Sequence, residues 1–112
     1  MARAPLIVVA LTLAAAACAG APSVEQDPSR YEGPIGSTDV ALGEARFRAV
    51  CGVCHVDGDA PVLDGRGLAA AAVRRQAREG SARMRPVAQS RVSDAELEAI
   101  VAYLVTTGAA RD

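Results

Sequence analysis

Five consecutive residues, Cys51-Gly52-Val53-Cys54-His55, restrict this chain more than anything else in it. On a helical turn, positions i and i+3 share a face, so both thiols point one way and the imidazole follows beside the second. A thioredoxin-like exchange motif would accompany a βαβ pattern, and the sequence has none. A zinc site needs four ligands, yet there is no second Cys/His pair, and His55 is the sole histidine. A plain disulfide has no use for His55. The remaining reading is haem attachment: thioether bonds from Cys51 and Cys54 to one porphyrin edge, with the His55 imidazole directed at the iron. The thin core agrees with it. The aromatics are Tyr31, Phe47 and Tyr103 alone. A domain of roughly 70 residues built this way buries too little by itself, so a large flat apolar group is expected at its centre.

The N-terminal third is organised differently. Met1 to Pro5 is short and carries Arg3; Leu6 to Ala17 is apolar without interruption. The run falls short of the ~20 residues that a settled membrane span requires. A charged start, a short apolar stretch and small residues at its end describe a secretion signal over 1–17. Cys18 follows Ala15-Ala16-Ala17, an arrangement that resembles a bacterial lipoprotein processing site, in which the Cys becomes lipid-modified. Such sites usually have Leu where Ala15 stands, and ordinary cleavage after Ala17 or Ala19 fits as well. Lipidation would also dispose of an unpaired thiol in an oxidising compartment. Residues 18–36 are rich in Pro and Gly and show no apolar period. They are expected to form a tether of about 23 Å root-mean-square reach, unless Tyr31 and Ile35 pack on the domain.

Residues 37–112 read as an all-α domain. A first helix should begin at Ser37-Thr38-Asp39, whose side chains can satisfy free amides. Val40, Gly43, Phe47, Val50 and Cys54 then recur at helical spacing. A second, Ala-rich helix is expected over 67–79 with Leu68, Ala72 and Val73 inward, stopped by Gly80. The third opens on a capping box, Ser93-Asp94-Ala95-Glu96. It continues in the stripe Leu97, Ile100, Val101, Leu104, Val105 and closes at Gly108. No segment alternates with period two, so no sheet is expected.

Residues 37–108 resemble a class I cytochrome c. That family places a Gly and an aromatic on the first helix, as Gly43 and Phe47 stand here, ahead of the attachment motif. A Pro-x-Leu segment then follows, matched by Pro61-Val62-Leu63. The resemblance implies that the Pro61 carbonyl accepts a hydrogen bond from the His55 ring, and that Leu63 packs on the haem. It also implies that the last helix crosses the first at a close contact beside Gly43. For the second axial ligand the sequence leaves little choice. Beyond the initiator, Met84 is the one methionine, and there is neither a second His nor any Lys. Met84 lies between the second and third helices, where the family has its ligand loop, although Arg85 separates it from Pro86. Its alternative role is that of a gap-filling core residue.

Charge is segregated along the chain. Residues 66–91 hold seven Arg against Glu79, for +6, whereas 18–65 carry −5 and 92–112 carry −3. A positive collar around the ligand loop would steer an acidic redox partner; an ordinary solvated helix face is the alternative. Nucleic acid fits poorly with an exported, mildly acidic chain. The expected function is single-electron transfer without a small-molecule substrate, on the periplasmic side and anchored by lipid to a bacterial membrane. The rival readings are a haem sensor or gas-binding protein with a labile Met84, and a cytochrome subunit of a larger oxidoreductase.

Overall fold

A computed structural model describes residues 27–112. It opens on a 3₁₀ turn, Pro28–Tyr31, whose Ser29 amide donates to the Asp27 side chain. Helix α1 (Val40–Arg46) passes through a π-helical turn (Phe47–Cys51) into α2 (Gly52–His55), so one continuous rod carries the attachment motif. After a loop come β1 (Leu68–Ala69), α3 (Ala70–Glu79), a second loop, α4 (Asp94–Thr106) and β2 (Ala110–Arg111). The fold is all-α in character, as read from the sequence.

The helix starts are chemical. Asp39 Oδ1 accepts the Leu42 amide at 3.0 Å, and Ser37 Oγ accepts the Asp39 amide at 3.1 Å. At α4 the capping box is complete: Ser93 Oγ accepts from the Glu96 amide, and Glu96 Oε2 accepts from the Ser93 amide.

The core lies where α4 crosses α1. Phe47, Val92, Leu97, Ile100, Leu104, Ala109 and Ala110 form it, and the Phe47 and Tyr103 rings meet at 5.6 Å. Gly43 makes the crossing possible. A Cβ there would overlap the Ala99 carbonyl and stand 2.9 Å from Tyr103 Cβ, so only hydrogen fits between the backbones.

Several expectations are corrected. Val40 and Val105 lie at the solvent edges of their stripes, 36% and 40% exposed. The second helix starts at Ala70 rather than Gly67. Gly67 takes φ +60° to end a turn, and Leu68–Ala69 run extended, pairing in parallel with Ala110–Arg111. Two residues are too few to display an alternating pattern. Ala72 faces solvent, and its expected inward place is taken by Ala70 and Arg74. Residues 28–36, expected in the tether, lie on the domain: Tyr31 is buried, and Arg74 holds the carbonyls of Tyr31, Gly33 and Pro34. The expected signal, Cys18 and the start of the tether lie outside the described residues.

Candidate haem site

The attachment motif is shaped by the π turn. The Gly52 amide donates to the Phe47 carbonyl, five residues back, and Gly52 is buried. π turns are rare and concentrate at functional sites, where they fit one extra residue into a turn. Here it precedes Cys54 and His55 directly. The Cys51 thiol is half-buried against the core, whereas Cys54 is exposed, and the two are not joined in a disulfide. Burial pushes the Cys51 thiol up, with Arg91 and Arg46 opposing. A thiol held protonated is a poor exchange nucleophile, unlike the low-pKa cysteine of a disulfide oxidoreductase.

Beyond His55 the chain folds back on itself. The Val56 and Asp57 amides both donate to Gly52 O, and the Ala60 amide donates to Cys54 O. This return brings the Pro61 carbonyl within 2.8 Å of His55 Nδ1, the partner implied by the resemblance. A carbonyl can only accept, so Nδ1 carries the proton and Nε2 keeps its lone pair available to a metal. Leu63, two residues on, packs against the core.

Met84 is held over the end of α3 by a separate device. Gly80 ends α3 with φ +66°, and its amide donates to Gln76 O at 2.9 Å. A Cβ on Gly80 would strike the Met84 carbonyl and stand 2.7 Å from Pro86 N, so the loop lies directly over this glycine. The Ser81 amide donates to Met84 O, and the Val87 amide donates to Ala77 O. Gln76 Nε2 donates to Met84 Sδ at 3.4 Å, leaving the half-buried thioether with a fixed direction. Sequence reasoning reads Gly80 only as a helix stop and passes over Gln76, because the fold-back of residues 81–87 has no local signature.

The donor set suits a haem. Two unlinked thiols stand within one helical turn, an imidazole held at Nδ1 leaves Nε2 as its nitrogen for a metal, and a soft thioether is available. Val50, Leu63, Val73, Ala77 and Val87, all partly buried, pack against the core from segments in or next to those that carry the candidate ligands. Among the described residues no three His, Cys, Asp or Glu side chains gather as a metal cluster.

The basic third of the chain divides in two. Arg74, Arg75 and Arg78 are engaged with Glu98, Glu79 and Asp94. Arg66, Arg83, Arg85 and Arg91 form no ion pair with a described residue, and two of these flank Met84. The expected collar is therefore smaller than the formal charge suggests.

Residues 38–104 match the family described as cytochrome c oxidase, cbb3-type, subunit III. The chain belongs to that family. It is a small class I c-type cytochrome, and membership implies covalently bound haem c and haem-based electron transfer. No curated protein and no solved structure matches this cytochrome.

Proposed function

We propose that the chain is a monohaem electron carrier, with haem bonded to Cys51 and Cys54 and its iron ligated by His55 and Met84. The observation that carries this reading is the 2.8 Å contact between His55 Nδ1 and the Pro61 carbonyl, which fixes the one tautomer able to ligate through Nε2. When bound, the haem supplies a one-electron couple. Cys51 and Cys54 would anchor it, the Pro61 carbonyl would orient the imidazole and raise its basicity, and Met84 would supply a thioether ligand. With both protein ligands engaged there is no position for substrate, so the reading is a carrier and not an enzyme. A thioether also favours the ferrous state and so raises the potential.

Arg83, Arg85 and Arg91, free of carboxylate partners among the described residues, favour a redox partner with an acidic docking surface. Export and anchoring through Cys18 rest on the apolar run 6–17 and the small residues before that cysteine. Among the described residues no helix is long and apolar enough to cross a membrane. A second reading, that the chain works as a subunit of a larger oxidoreductase, is favoured by the description of its family.

Mass and optical spectra of protein matured in a haem-attaching bacterial host test the proposal. One haem increment that resists acidified organic solvent is expected, with a methionine-to-iron charge-transfer band in the ferric form. Pigment that extracts into the solvent overturns the thioether assignment. Carbon monoxide binding to the untreated ferrous protein overturns Met84 ligation in favour of the sensor reading. Co-purification of a stable membrane complex would establish the subunit reading.

A further inference from the structure

The structure assigns to Gln76 the role of positioning the Met84 sulfur and setting its strength as an electron donor. This rests on the proposal that Met84 ligates iron. A thioether sulfur has two lone pairs. Nε2–H of Gln76 reaches Sδ at 3.4 Å, a normal N–H···S separation given the size of sulfur, and thereby occupies one of them. The opposite setting of the amide would place its oxygen against the sulfur, two acceptors facing each other, so the donor orientation is the stable one.

Gln76 is held for this task at both ends. Its carbonyl accepts the Gly80 amide at 2.9 Å, tying its backbone to the glycine over which the Met84 loop folds. The Ser81–Met84 and Val87–Ala77 bonds fix the same loop to the end of α3. One residue thus grips the loop by its backbone and the sulfur by its side chain. A hydrogen bond accepted by sulfur withdraws density from it. The weakened thioether supports electron-poor ferric iron less than ferrous iron, so Gln76 raises the reduction potential. Gln76 itself is exposed, and its replacement leaves the core untouched.

The test compares wild-type holoprotein with Gln76→Leu, which keeps bulk and removes the donor, and Gln76→Glu, which keeps shape and replaces the donor with an acceptor. Met84→Ala is the reference. Both Gln76 variants are expected to lower the potential, raising the ferric-to-ferrous ratio at a fixed applied potential about three- to tenfold, the worth of one net hydrogen bond. The ferric methionine band should shift or weaken, while the urea midpoint stays unchanged. If the band is present in wild type, absent in Met84→Ala, and both band and potential are unmoved in the Gln76 variants, this inference is wrong and Met84 ligation stands. If wild type lacks the band, or Met84→Ala keeps it, Met84 ligation fails and the role of Gln76 fails with it.

Discussion

Single residues carry much of this fold, and Arg74 is the clearest case. It is 7% exposed, yet its guanidinium uses all five donors: two on Glu98, and three on the carbonyls of Tyr31, Gly33 and Pro34. Glu98 in turn accepts the Gly36 amide at 2.8 Å. Arg74→Leu would leave a partly buried carboxylate and three carbonyls without their donor, so a loss of about 1–3 kcal/mol is expected in urea unfolding. Burial pushes Glu98 upward, but the Arg74 and Gly36 hydrogen bonds outweigh it and hold the carboxyl below the usual range. A depressed carboxylate contributes stability above its unfolded value, near pH 4.3. That contribution disappears as the pH falls through the folded value. Wild type should therefore lose stability on acidification below about pH 4.3 more steeply than Arg74→Leu, as urea midpoints across that range would reveal. Gly43→Ala belongs at this scale too. Its Cβ meets the Ala99 backbone, and overpacking is expected to cost roughly 1–3 kcal/mol or more in the same assay.

At the scale of elements, legibility followed how local the cause is. The α4 capping box needs four adjacent residues, and it was plain in Ser93 to Glu96. The Gly43–Phe47 face and the Cys51-x-x-Cys54-His55 run were equally plain, since period and spacing are properties of the string. β1 and β2 were not. Their pairing joins chain positions far apart, with Arg111 Nε donating to Gly67 O across 44 positions, and two-residue strands carry no period. Arg74 looks like surface charge in the string, although its spacing from Ala70 and Ala77 sets it on the inward face of α3. The Met84 loop escapes for a related reason: Gly80 signals a stop but does not say where the chain goes next. Gly80→Ala should displace that loop, abolishing the ferric methionine band while far-ultraviolet dichroism keeps its helical signal.

Taken whole, the molecule sorts its arginines into structural and available sets. Arg74 and Arg78 are largely buried in ion pairs, and Arg78 also caps the Val87 and Val92 carbonyls. Arg83, Arg85 and Arg91 are exposed. With an acidic partner, electron-transfer rates should fall as salt rises, because screening shortens the reach of the collar to about 10 Å at 0.1 M. Charge reversal of Arg83, Arg85 and Arg91 to Glu should slow the second-order rate about tenfold or more at low salt and flatten that salt dependence. Stopped-flow rates at several ionic strengths would decide it, and a rate indifferent to both changes would remove the collar from partner recognition.

The π turn at Phe47–Cys51 is in effect a residue spliced into an otherwise regular rod. Excising one solvent-facing member, Ala49, would let the hydrogen-bond register relax to the ordinary four-residue step. Because the wider turn already takes up the roughly 100° that one residue adds to a helix, everything downstream should keep its direction against Gly43 and Phe47. Such a chain keeps the packing face of α1, every proposed ligand and the side to which they are presented. It should emerge from a haem-attaching host folded and coloured, and a colourless product would show that attachment needs the wider turn itself.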